Sequence, residues 1–257
     1  MYEAMNIAAT GLTNQQRRLD IIANNVANIN SAAYKSSRLD FKDALYTAGI
    51  VPGKPRTPEG NQQKGHGVMV AGITKDYSTG SMLRTDRVLD LAIEGEGFFA
   101  LETPDGETVY TRNGNFNVSS EPDGLYLVNS EGYYLLDADD ERILIPDFTQ
   151  SINIGTSGLI TYFADEEEST VRLGIYTFRN LTGLISMGGG SYAETPASGE
   201  RLPAEDAVVR QGTIEMSNVN LAEEMTRLIR TQRAFSLSSR ALTTADEMEG
   251  IANNMRR

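Results

Sequence analysis

The sequence predicts an α+β protein. N- and C-terminal α-helices form a coiled-coil-like inner assembly domain and flank a central antiparallel β-rich domain. Three observations lead there. Apolar residues recur every seven positions at both ends of the 257-residue chain. Short alternating apolar runs, separated by turn dipeptides, fill the middle. Charge follows the same division: residues 1–48 carry five Lys and Arg against four Asp and Glu, and residues 217–257 carry six against five. That leaves 12 against 26 for the middle of a chain whose net charge is −12.

The N-terminal helix is predicted from Met5, Leu12, Leu19 and Val26, seven apart. Met1, Ala8, Gln15, Ile22 and Ile29 form a second row three residues on, and Gly11 and Gln15 interrupt the pattern. At the other end Leu221, Leu228, Phe235 and Leu242 repeat in the same way, beside Ala234, Ala241, Met248 and Met255. Asn220 with Glu223 three residues on marks the start of that helix. So narrow an apolar stripe is useful only against another helix. Periodicity leaves two partners open: the opposite end of the same chain, or copies of the chain in an assembly.

The stretch "ANNVANIN" favours assembly. Asn25 and Asn30 flank the seam on the heptad frame, and Asn24 and Asn28 point away from it. Charges there would be costly under a covering protein, whereas amides can be buried once hydrogen-bonded. The alternative is a helix end, where asparagine favours caps and turns. Ends without partners are expected to be disordered in the monomer and to fold on assembly.

Between the helices, "AGIVPGKPRTPEGNQQKGHG" reads as an extended connector. From Val68 on, "VLDLAIEG", "GEGFFAL", "ETVYTRNGNFNV" and "GLYLVNSEGYYLLD" read as closely spaced strands, with "ITYFA" and "VRLGIYTF" further on. Turns are expected at Pro104-Asp105-Gly106, Asn113-Gly114 and Asp123-Gly124. The organisation is therefore an assembly helix over 1–45, a connector over 46–67, a β-rich domain over 68–212 and a second assembly helix over 213–257.

Chemistry is harder to find. The chain has no cysteine, which removes disulfides and thiolate chemistry, and His66 stands alone between glycines. "DADDE" from Asp137 fails as a calcium loop, because Arg142 and Phe148 fall where glycine and glutamate are needed. The "DEEE" run at 165–168 reads as a solvated hairpin tip. No cofactor, metal site or catalytic residue is assigned, and the reading is a structural protein rather than an enzyme. An acidic middle without a basic stripe argues against nucleic acid. No apolar run approaches 18 residues, so direct membrane insertion is not expected. The start shows no basic segment followed by an apolar core and is not read as a cleaved secretory signal.

The segment Leu19 to Phe41 resembles the N-terminal signature of bacterial flagellar basal-body rod and hook proteins, Asn-Asn-x-Ala-Asn-x-x-Thr-x-Gly-Phe-Lys. Asn24, Asn25, Ala27, Asn28 and Lys35 match it, with Ser31 for Thr, Ala33 for Gly and Tyr34 for Phe. "LDLAIEGEGFF", "YTRNGNF", "TFRNLTGL", "SYAETPASGE" and "QGTIEMSNVNLAEEMTRLIRTQRAF" are similar to further family segments in the same order, so the resemblance runs through the whole chain. "TQRAF" and "ETPASG" most resemble distal rod members, with a proximal rod subunit or another hook-basal-body axial protein as the alternative.

The resemblance implies a subunit of a hollow helical shaft that transmits motor torque to the hook. It implies export through the flagellar type III apparatus to an extracytoplasmic place in the basal body. Partners would be copies of itself, paralogous rod and hook subunits, and ring and rod-cap proteins. The expected interface is Met5, Leu12, Leu19, Ile22, Asn24, Asn25, Val26, Asn28 and Ile29 at one end. At the other it is Leu221, Met225, Leu228, Gln232, Phe235 and Leu242. Outside the family, the rivals are a self-contained β-domain ligand-binding protein with its helices folded back as a hairpin, and a hydrolase using an acidic pair.

Overall fold

A computed structural model describes residues 2–44, 46–49, 62–65, 67–122, 124–146, 151–164, 167–204 and 206–255. Two long helices are present, α1 over Tyr2–Ala27 and α2 over Leu221–Asn254, with antiparallel strands between them. Asn220 starts α2 by accepting hydrogen bonds from the Ala222 and Glu223 amides at 3.0 and 3.4 Å. Glu223 does not close the capping box; its carboxylate takes a hydrogen bond from Arg227 one turn on. Glu223 and Glu224 nevertheless lie in the first turn, where the helix dipole favours negative charge.

The chain divides into two compact units. Residues 1–27, 37–76 and 220–257 form the first; residues 28–36 and 77–219 form the second.

In the first unit α1 packs against α2 and against an antiparallel ribbon, Ser37–Asp43 with Val68–Lys75. Tyr46–Gly49 pairs with Gln62–Gly65, so the described parts of the segment read as a connector are strands. A two-stranded ribbon is marginal by itself, and α1 supplies the missing support. Leu39 of the ribbon is buried, Arg18 lies 5.7 Å from the Phe41 ring centroid, and the Asn14 side chain donates to the Val68 carbonyl at 2.6 Å. The terminal helices thus have each other as partners within one chain.

The second unit holds a ten-stranded antiparallel sheet, a three-stranded sheet of Ser151–Ile154, Leu159–Ala164 and Glu167–Arg172, and two two-stranded pairings, Leu91–Glu94 with Val208–Gln211 and Met82–Arg84 with Thr213–Glu215. Strand Phe98–Glu102 shows why "GEGFFAL" is apolar throughout. Alternate side chains leave opposite faces, and both faces are covered: Phe99 and Leu101 join one core cluster, Phe98 and Ala100 the other. The first cluster includes Leu91, Ile93, Phe116, Ile160 and Tyr162. In the second, Tyr110 meets Phe178 edge-on at 4.8 Å, a preferred aromatic geometry.

Pro104-Asp105-Gly106 turns the chain between Phe98–Glu102 and Thr108–Thr111, with Gly106 at φ 80°. Asn117–Glu121 pairs directly with Gly124–Val128, and Asp123 lies outside the described residues. Asn113-Gly114 does not make the expected hairpin, since the strands on either side of it pair with other strands. Instead Gly114 lies flat against the Leu91 backbone, whose amide donates to its carbonyl at 2.9 Å; a Cβ there would collide with the Leu91 carbonyl.

Candidate assembly site

Along α2 the shielded positions include Glu224, Leu228, Thr231, Phe235, Ser238, Leu242, Ala245, Glu249 and Ala252, at alternating steps of four and three, with Arg227, Ala234 and Ser239 beside them. Such spacing is a coiled-coil seam, and α1 is the element packed against it. Leu228, Phe235 and Leu242 are half-buried there, in the row expected from the sequence. The second row is not the expected one. Thr231, Ser238, Ala245 and Ala252 hold it; of the expected row Ala234 is half-buried, while Ala241, Met248 and Met255 are exposed. Small and polar residues hid this row from an apolar-periodicity reading. Their seven-residue spacing, with Gly11 opposite, was the available signal: a Cβ on Gly11 would meet Ser238 Oγ at 3.8 Å, an ordinary contact.

On α1, Met5, Leu12, Leu19 and Val26 are half-buried and Ile22 is 3 % exposed. A second face of the helix carries Asn14, Arg18 and Asn25 towards the ribbon. Asn25 is buried, and its amide exchanges two hydrogen bonds of 2.9 Å with the Ser37 backbone. Asn24 and Asn30 are exposed, and Asn28 is half-buried with its carbonyl accepting from the Ser31 hydroxyl. Asn28 and Ile29, half-buried, belong to the second unit.

A small crevice of about 120 Å³ lies at the root of the helices, lined by Arg18, Ile22, Leu39, Glu224 and Arg227 among others. Glu224 is buried there and accepts from Arg227 at 2.9 Å. The expected interface residues therefore separate into two sets. Met5, Leu12, Leu19, Ile22, Asn25, Val26, Leu228, Phe235 and Leu242 are shielded within the first unit, whereas Asn24, Leu221, Met225 and Gln232 face outward.

The outward set has company. Leu221, Met225, Ile229, Leu237, Met248, Ile251 and Met255 are all more than 40 % exposed, spread along the full length of α2. Isolated exposed apolar residues are ordinary; seven on one helix make its outward side a candidate for contact with another chain. Among the described residues no group of three or more His, Cys, Asp or Glu side chains could hold a metal ion. His66 lies outside the described residues, as do Asp165 and Glu166 of the acidic run.

Comparison with known proteins gives three family matches. Residues 5–35 match the flagella basal body rod protein family, and residues 92–162 match the flagellar hook protein FlgE/F/G D1 domain. Residues 210–255 match the C-terminal domain of flagellar basal body rod FlgEFG proteins. The chain is 38 % identical over 272 residues to the flagellar basal-body rod protein FlgG of Borreliella burgdorferi, covering all of both chains. It is 37 % identical to the FlgG of Agrobacterium fabrum, over 97 % of this chain and 98 % of that one. Identity to the FlgG of Bacillus subtilis is 35 % over the whole of both chains.

Proposed function

This chain belongs to the flagellar basal-body rod protein family, a structural family of the flagellar basal body, and from that premise we propose that it polymerises through its terminal helices into the hollow distal part of the rod. The shaft so formed carries motor torque to the hook. Full-length similarity to proteins named FlgG supports the distal position over a proximal one. Its partners are copies of itself and paralogous rod and hook subunits, with ring and cap proteins around the shaft and the flagellar export apparatus upstream. No catalytic step is assigned to it.

The observation that carries the proposal is the apolar outer face of α2, from Leu221 to Met255. A face that meets a different face on the next copy, without closing, generates a helical filament. In this reading Leu221, Met225 and Gln232 contact neighbours directly. Leu12, Leu19, Phe235 and Leu242 act one step back, by holding the helix pair that presents that face.

Two substitutions separate these roles. Leu237→Asp, at a side chain 66 % exposed, should leave the isolated chain folded and lower its incorporation into rods about tenfold or more. Phe235→Asp should open the helix pair, abolish polymerisation and leave the β-rich unit folded. Normal rods from both variants would sink the proposal.

A further inference from the structure

Three arginines and one carboxylate line the crevice at the root of the helix pair, all within the first unit. Two of the arginines have carboxylates of their own: Arg38 pairs with Asp40 at 3.0 Å, and Arg227 pairs with Glu223 and Glu224. Arg18 has the Phe41 ring, 5.7 Å away, and makes no ion pair among the described residues. Glu224 is 4 % exposed; its Oε1 accepts from Arg227 at 2.9 Å, but its buried Oε2 has no donor among the described residues. A buried carboxylate oxygen without a donor is costly. The crevice is therefore lined both by a cation that lacks an acceptor and by a carboxylate oxygen that lacks a donor.

Few groups satisfy both. An ammonium or guanidinium would serve Glu224 but would add a fourth cation to the three arginines. A carboxylate would serve Arg18 but would face Glu224 Oε2. A carboxamide serves both, because its oxygen accepts and its NH2 donates, and it brings no charge into a desolvated place. At about 120 Å³ the crevice has roughly four times a water molecule's share of liquid volume, room for an amide head group.

Gln232 is exposed, and its side chain has no hydrogen-bond partner among the described residues. It continues a row with Leu221, Met225 and Ile229, spaced four, four and three apart on one side of α2, and those three are 45 %, 41 % and 51 % exposed. Gln232 cannot reach the crevice of its own chain, because Glu224 lies eight residues back on the same helix, about 12 Å along its axis. Its amide can enter such a crevice only on another copy.

We propose that the Arg18–Glu224 crevice is a socket for the Gln232 side chain of a second copy, with Glu224 Oε2 accepting from the amide NH2 and Arg18 donating to the amide oxygen. Its setting between copies rests on the rod reading. Socket and plug are different patches of the surface, so the contact is heterologous and repeats along a filament without closing. The apolar row beside Gln232 supplies contact area, and the amide fixes register, since a displaced amide would leave both itself and Glu224 unpaired under cover.

Sedimentation of the assembling full chain tests the pairing. Gln232→Leu extends the apolar row and would assemble at least as well as the parent if the row alone mattered; loss of the amide should instead raise the critical concentration about tenfold. Gln232→Glu sets a carboxylate against Glu224 and should raise it further. Adding Glu224→Gln to that variant exchanges the two groups and should recover most of the loss. A cross-link reads the contact even if the exchange variant fails to fold. The chain has no cysteine, so a Gln232→Cys chain mixed with an Arg38→Cys chain should give disulfide-linked pairs of the two. Parental assembly of Gln232→Leu, or cross-linking of Arg38→Cys to Asn254→Cys and not to Gln232→Cys, would overturn the proposal. A parent chain that never enters rods would sink the rod reading, and the Gln232–Arg38 cross-link at high concentration would still decide the socket.

Discussion

Asn25 and Ser37, twelve residues apart, exchange two hydrogen bonds of 2.9 Å, the asparagine amide pairing with the serine N–H and C=O as a neighbouring strand would. A helix residue thereby supplies a rung at the start of the ribbon, and its side chain is 1 % exposed. An aspartate could still accept from the serine N–H, but it would set a carboxylate against the serine carbonyl. Asn25→Asp should therefore destabilise the first unit by about 2–3 kcal/mol. Hydrogen exchange of the Ser37 amide and of the ribbon checks this; unchanged protection would mean that the pair contributes little.

Glu215 serves two cations and a backbone amide, and Lys35 is one of those cations. The two deletions should therefore differ. Lys35→Met leaves Glu215 with Arg112 and Gly80, and should cost about 3 kcal/mol, the lower end for breaking a buried pair. Glu215→Leu strands Lys35 and Arg112 together in the interior and should cost about 5 kcal/mol or more. Denaturant unfolding of the second unit gives the order, and equal losses would contradict the partner assignment.

Burial pushes the Tyr77 hydroxyl up to about 12, and burial likewise raises Tyr162 and Tyr192. Tyr77 and Tyr192 meet edge-on at 5.5 Å in the second core cluster. In the unfolded chain these phenols ionise near pH 10, about two units earlier than Tyr77 in the fold. Their stabilising contribution is complete below about pH 10 and is lost as pH rises towards 12. The second unit should thus unfold in that window, and Tyr77→Phe should flatten the decline. A thermal midpoint that does not move between pH 9 and 11 would contradict the burial of these rings.

Ala33 occupies the left-handed region at φ 55° and is 1 % exposed. It stands where the family signature carries glycine, so the turn persists without the residue that makes it easily. Ala33→Val adds β-branched crowding to the left-handed strain that Ala33 already bears and overpacks a buried position, so it should cost roughly 1–3 kcal/mol. Ala33→Gly, trading a buried methyl for relief of strain, should stay within about 1 kcal/mol of the parent. Thermal unfolding of the two variants decides; a neutral Ala33→Val would mean that the turn adjusts.

The sequence by itself determined the order of elements, the helical nature of both ends, one row of the seam and the family. These are properties of spacing and of local residue choice: Leu228, Phe235 and Leu242 repeat at seven whatever lies opposite them, and Asn220 ahead of an acidic first turn is a helix-start signal that does not depend on what the helix later meets. Tertiary structure decided what those elements meet. Thr231, Ser238, Ala245 and Ala252 became seam residues because a close helix neighbour selects small size, which leaves no apolar signal. Asn113-Gly114 became a contact with Leu91 instead of a hairpin, because closeness to a distant backbone requires glycine as strictly as a turn does. Lys35 and Glu215 met across 180 residues, and no local pattern encodes which buried cation will face which carboxylate. Pairing over such separations is fixed by how the whole chain closes on itself, and that closure also leaves the apolar outer face of α2 uncovered.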